Sequence, residues 1–194
     1  MSWLLVKLLL PLLHYVGAHM VNSQEFVNAI QKCRVPKLSC YVSFDAVSLY
    51  TNIDNSAAVK SLLEPLNNHS NKVSMWGFST SDTEILLEAA LAFNTFRFNN
   101  IFYPQKRGLA MGIRIAPLLA IVFLDHIGKV SLTKRILFYK GYIDKVFVIE
   151  VLFSIVIGSS RQFICDWFIT FYSDLNANKI ELKRCEHKVH NGRT

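Results

Sequence analysis

Apolar positions along the chain fall into blocks whose spacing switches between that of helices and that of strands. Trp3 to Leu13 is an apolar run broken by Lys7 and Pro11. It is shorter than the roughly 20 residues of a membrane span, and no positive residue precedes it as in a secretory leader. Two readings follow: a core helix, or a leader ending near Val16-Gly17-Ala18 of a small secreted or membrane-associated protein. Asn22 or Ser23 caps a short helix over Glu25 to Lys32, and Pro36 ends helical spacing before a strand at Tyr41, Val42 and Phe44. Asn52, Asp54, Asn55 and Ser56 form a turn and cap cluster. A helix over Ala57 to Leu66 follows, stopped near Pro65, then a loop over Asn67 to Asn71. Ser81 to Phe93 reads as a longer helix with Ile85, Leu86, Ala89 and Phe93 as its stripe.

Thr95 to Tyr103 has the alternation of a hairpin around Asn99-Asn100. Ala116 to Ile127 is a helix with Pro117 tolerated in its first turn. Lys134 to Gly141 and Tyr142 to Ile149 pair as strands, Val151 to Ile157 prolongs the apolar run, and a helix over Arg161 to Leu175 and a strand over Lys179 to Arg184 complete the pattern. The mixture predicts an α+β domain with an antiparallel sheet.

Length and composition narrow the class. The 194 residues make one domain, and 52% hydrophobic against 18% charged residues excludes a disordered chain. A mean hydropathy of +0.28 raises a membrane reading, but every apolar run is too short, so no stable membrane insertion is expected. Cys33, Cys40, Cys165 and Cys185 show no zinc-binding spacing and read as reduced thiols, which favours an intracellular setting over a secreted one. The net charge of +7 is concentrated. Arg97 to Lys145 carries nine basic residues against Asp125 and Asp144, an excess equal to that of the whole chain. Such a segment is either a surface for a phosphate backbone or a set of scattered solvated charges.

Two acids stand out because they interrupt strand-like runs. Asp45 follows Phe44, and Asp144 follows Tyr142-Ile143 just after the turn signal at Gly141. Alone, Asp45 reads as a strand-end carboxylate bonded to a turn. Together, far apart in sequence and both on strands, they have the form of a pair converging on a divalent cation. Asp54 and Glu150 read as solvated turn or edge carboxylates, and His126 as a capping or packing residue.

The wording around these acids carries a family resemblance. Ser43-Phe44-Asp45-Ala46-Val47-Ser48-Leu49-Tyr50-Thr51-Asn52-Ile53 resembles the first catalytic motif of reverse transcriptases, in the form found in Penelope-like retroelements. Phe102-Tyr103-Pro104-Gln105-Lys106-Arg107-Gly108-Leu109-Ala110-Met111-Gly112, with Ala116-Pro117-Leu118-Leu119-Ala120, resembles the second motif of that branch. Tyr142 to Ile149 resembles its Tyr-x-Asp-Asp box.

The resemblance implies a single partial reverse transcriptase domain over residues 1–194. A lead-in helix would occupy residues 1–40 and a palm residues 41–194, with a palm-like antiparallel sheet backed by helices, incomplete fingers and no thumb. It implies RNA-directed DNA synthesis by two Mg2+ or Mn2+ ions on Asp45 and Asp144, with an RNA template, a DNA primer and deoxynucleoside triphosphates as partners. Tyr50 would lie beneath the incoming sugar, and Gln105, Lys106, Arg107, Gly108, Met111, Gly112 and Tyr142 would contact nucleotide or template. Fingers, thumb and nuclease segments of the parent element would lie elsewhere. Two departures weaken the implied activity. Ile113-Arg114-Ile115 replaces the branch's Ser-Pro-Leu, and Lys145 replaces the second aspartate of the box. At about 4 Å and an effective dielectric of about 20, unit charges interact by roughly 4 kcal/mol, so Lys145 sets repulsion of a cation where the family has attraction. Strand alternation offers it one escape, a side chain turned to the opposite face. The alternative function is a catalytically dead nucleic-acid-binding remnant.

Overall fold

The computed structural model describes residues 1–131, 135–151, 153–157, 160–164, 174, 177 and 179–190. The fold is a mixed helical and antiparallel-sheet structure. Its centre is a four-stranded sheet of β1 (Ser39–Val47), β4 (Ile136–Tyr142), β5 (Lys145–Val151) and β8 (Glu181–His190), in the order β4-β5-β1-β8 with every neighbouring pair antiparallel. On β1, Cys40, Val42, Phe44 and Ala46 are buried, while Tyr41, Ser43 and Asp45 alternate with them on the other face. Val148 and Val146 of β5 stand opposite Val42 and Phe44, so apolar side chains from adjacent strands meet on one face.

Helices flank the sheet. In chain order they are α1 (Ser2–Leu9), α2 (Ser23–Gln31), the four-residue α3 (Leu49–Asn52), α4 (Asn55–Asn68), α5 (Thr80–Ala92) and α6 (Ala116–Ser131). Leu5 and Leu8 of α1, Leu62 and Leu66 of α4, Leu87 of α5 and Leu119 and Phe123 of α6 join the strand residues in one core. Each such side chain contributes roughly 1.5–3 kcal/mol by leaving water. The apolar N-terminal run is therefore core, with Leu9 and Leu12 buried where it tightens into a 3-10 helix at Leu10–Tyr15. Among the described residues, no helix is long and apolar enough to cross a membrane. On the opposite sheet face, Phe26 of α2 sets its ring edge-on to Phe138 and Phe147, at 5.9 and 5.2 Å.

Residues 17–20 line the free edge of β4. Gly141 donates its N–H to the Ala18 carbonyl at 2.8 Å, and Met20 donates to the Gly141 carbonyl at 3.1 Å. The buried Asp125 of α6 accepts the Ala18 N–H at 3.2 Å and pairs with Lys129 at 2.6 Å. Packing of α6 on β4 is tight at one point. The Tyr139 hydroxyl donates to the Leu124 carbonyl at 3.3 Å, and a Cβ at Gly128 would fall on that hydroxyl. Burial and then the nearby Asp125 push the Tyr139 hydroxyl well above its ordinary pKa.

Several elements depart from sequence expectation. Pro65 does not stop α4, which runs to Asn68 because burial of Leu62 and Leu66 on either side outweighs the missing N–H. The stripe of α5 is Thr83, Leu87 and Leu91; Ile85 and Phe93 face water. The turn between β4 and β5 is Ile143-Asp144, not Gly141-Tyr142, because Tyr142 pairs with Lys145. Glu150 is buried, not a solvated edge residue, and Asp54 caps α4 by accepting the Ala57 N–H at 2.9 Å. Of the helix expected over Arg161 to Leu175, residues 161–164 belong instead to β7 (Ser160–Ile164), paired with β6 (Phe153–Ile157), whose β-branched run favours a strand. Most of its remainder lies outside the described residues. The hairpin around Asn99-Asn100 forms as expected, as β2 (Thr95–Phe98) and β3 (Ile101–Pro104), with both asparagines at positive φ as a type I′ turn requires.

Candidate active site

Asp45 lies near the end of β1, and its register partner on β5 is Lys145. Asp144 is the second residue of the tight turn entering β5, tied to β1 by the Ala46 N–H, which donates to the Asp144 carbonyl at 2.8 Å. The preceding Ile143 has φ +54, a left-handed conformation that a β-branched residue rarely adopts. Strain of this kind costs of order 1–3 kcal/mol and gathers at functional turns.

Two acids 99 residues apart in sequence thus come to one sheet end, and a lysine joins them. The Lys145 ammonium lies 3.4 Å from Asp45 Oδ1 and 3.5 Å from Asp144 Oδ1, so the two oxygens are no farther apart than those two lengths together. Lys145 does not turn to the opposite face. Asp144 sits in the turn rather than the strand, so alternation does not separate it from Lys145, and cross-strand register puts Lys145 on the same face as Asp45. The Asp144 carboxylate, and then the hydrogen bond to Asp45, raise the Lys145 pKa above its ordinary value and keep the ammonium charged. The carboxylates are not deeply buried: Asp45 is 35% and Asp144 41% exposed.

Tyr50 joins the same site from the first turn after β1. Ser48 takes φ +52, and the chain enters α3, which carries Tyr50. Burial, and then the Asp144 charge, raise the Tyr50 hydroxyl pKa. The second motif docks on this turn. Gly108, at φ +82, lies so close that a Cβ would sit 2.7 Å from the Tyr50 carbonyl and 2.8 Å from Thr51 Cα. Leu109 donates to that carbonyl at 2.6 Å, and the Arg107 guanidinium reaches the Asn52 carbonyl at 3.4 Å. Gly108 therefore meets a requirement only glycine fulfils.

The other expected residues are less engaged. Gln105 is held within its own loop, its side chain donating to the Arg107 carbonyl at 3.0 Å. Lys106 and Met111 are exposed, and nothing lies within 4 Å of a Cβ built at Gly112, so close approach does not require that glycine. Tyr142 is exposed on β4, across from Lys145. His126 pairs with Glu64 at 2.9 Å, between α6 and α4. A cleft of about 470 Å3 between those helices is lined by Lys60, Glu64, Phe123 and His126, and it does not include the carboxylate pair.

Comparison with solved structures places the fold. The chain resembles the telomerase of Candida tropicalis, solved in the apo state without its C-terminal domain, with a TM-score of 0.62 over 95% of this chain and 40% of that one at 12% identity. The telomerase of Candida albicans, solved in complex with a fragment of telomeric RNA, aligns with a TM-score of 0.54 over 77% of this chain and 30% of that one at 14% identity. The fold is of the telomerase kind. This chain spans less than half the length of either telomerase chain. No family model and no curated protein matches the sequence.

Within that fold, the donor set only half suits a divalent cation. Asp45 and Asp144 supply oxygen ligands of the kind magnesium takes. Among the described residues, no third His, Cys, Asp or Glu joins them in a metal-binding group. The Lys145 ammonium already compensates both carboxylates, and a magnesium ion with its waters would have to displace it. The site as built does not fit the ion.

Proposed function

We propose that this chain is the palm of a reverse-transcriptase-type polymerase of retroelement origin, with motifs of the Penelope-like kind, that has lost its chemistry and keeps an affinity for nucleic acid. The fingers and thumb of such a polymerase would be supplied by other segments. Its ancestral activity is RNA-directed DNA synthesis on Asp45 and Asp144, for which two divalent ions would activate the primer hydroxyl and offset triphosphate charge. The observation that carries the loss is the Lys145 ammonium between those two carboxylates. Tyr50, Gln105, Lys106, Arg107 and Gly108 are the residues assigned to nucleotide and template.

Primer extension on an RNA template with Mg2+ or Mn2+ tests the reading. No incorporation is expected from the natural chain. Incorporation that disappears in Asp45→Ala would show a working polymerase and overturn the loss. A second arm asks whether the lysine is the obstacle: Lys145→Asp should gain a Mg2+-dependent rise in melting temperature that the natural chain lacks.

A further inference from the structure

The hairpin of β2 and β3 forms a sheet of its own, and all eight of its strand residues are exposed. A two-stranded hairpin gains little from its own contacts in water, and a contiguous exposed apolar patch marks a binding surface. Register puts Phe96, Phe98, Ile101 and Tyr103 on one side and Arg97 with Phe102 on the other. Phe96 and Tyr103 stack at 5.6 Å. The Arg97 guanidinium lies 5.8 Å from the centre of the Phe102 ring and donates to Asn100 at 2.8 Å. Phe98 at the tip is 62% exposed, Phe102 69%, and Phe93, just before the hairpin, 81%.

Charge decides what covers these rings. Between Glu88 and Asp125 the chain has no acid and four bases, Arg97, Lys106, Arg107 and Arg114, every one exposed. Rings interleaved with exposed cations, in a stretch without an acid, suit a polyanion that carries flat apolar faces. Single-stranded nucleic acid offers phosphates and free base faces, whereas in a duplex those faces are already stacked. We infer that the β2–β3 hairpin is a two-sided stacking platform for unpaired bases, with Phe98 on one side and Phe102 on the other as its principal rings and Arg97, Lys106, Arg107 and Arg114 taking the phosphates. The inference rests on the nucleic-acid reading above and narrows it to single strands.

Fluorescence anisotropy tests it on the full chain with labelled oligouridine and oligothymidine of about 16 nucleotides, near the upper site size of such platforms, and with a duplex of equal length. The natural chain should bind one or both single strands more tightly than the duplex. The double variant Phe98→Leu/Phe102→Leu keeps apolar bulk and loses both π faces. It should bind single strands about tenfold or more weakly and the duplex unchanged. Phe98→Tyr/Phe102→Tyr should bind as the natural chain does, which separates lost stacking from a disrupted hairpin. Undiminished single-strand binding by the leucine variant, or no preference for single strands in the natural chain, overturns the platform while leaving nucleic-acid binding intact. Failure to bind any of the three probes overturns both readings. Self-association of the natural chain that the leucine variant abolishes, read by sedimentation, would instead assign the rings to a second copy.

Discussion

At the scale of single residues, Lys145 decides the character of the site. Its identity and the two acids are legible in the sequence, and so is the charge conflict with a divalent cation. Its direction is not. Alternation along a strand would turn it from Asp144, but that rule fails where one of the neighbours belongs to a turn, and the turn lies two residues beyond the glycine that signals it. An ion pair this exposed contributes about 0–1 kcal/mol. Lys145→Met should therefore lower stability by no more than that, and the difference should shrink with added salt. Because the folded-state pKa of Lys145 is raised, the contribution is complete below the ordinary lysine pKa of about 10.4 and is lost only as pH rises through the higher folded value. Melting curves of the two proteins from about pH 6 to about pH 9 should keep a constant separation. A separation that closes within that window would mean the ammonium is not held by these carboxylates.

At the scale of elements, the caps of α2 and α4 and the Asn99-Asn100 turn were readable, and helix faces were the least so. Asn22 and Asp54 cap α2 and α4 through side-chain bonds of 2.9 Å; the reciprocal capping box of Ser79 with Asp82 on α5 starts that helix one residue before the Ser81 expected. Those signals are local chemistry. The face of α5 is not local: Ile85, Leu86, Leu87, Ala89 and Leu91 surround the helix, and only the position of its neighbours selects Leu87 and Leu91. Likewise, nothing in the sequence around Gly108 reveals that Tyr50 and Thr51 press against it. Its family motif implied contact with nucleotide or template, not with the backbone of Tyr50 and Thr51. Gly128 shows the same blindness, since its need for no side chain comes from Tyr139 on another element. Gly128→Ala should cost about 1–3 kcal/mol through overpacking between α6 and β4, despite alanine's better helix propensity. Chemical denaturation checks this, and a stabilised alanine variant would show that the two elements part readily.

At the scale of the whole molecule, the sequence foretold a mixture of helices and antiparallel strands, though not their division among three sheets, and it foretold where the excess charge lies. If Arg97, Lys106, Arg107 and Arg114 contact phosphates, affinity for a single strand should fall with salt at a slope of roughly −3 in log affinity against log salt concentration. A slope near zero in an anisotropy titration would mean that these cations do not touch the backbone. Strand order was beyond sequence reasoning, because β1 takes its neighbours from distant parts of the chain: Val42 faces Val148 on one side and His187 on the other. A ribosome adds roughly 5–20 residues per second. The middle ribbon of the sheet therefore emerges with both flanks bare and waits several seconds for the first companion and longer for the second. During synthesis, that interval is when this chain most needs shielding from other nascent polypeptides.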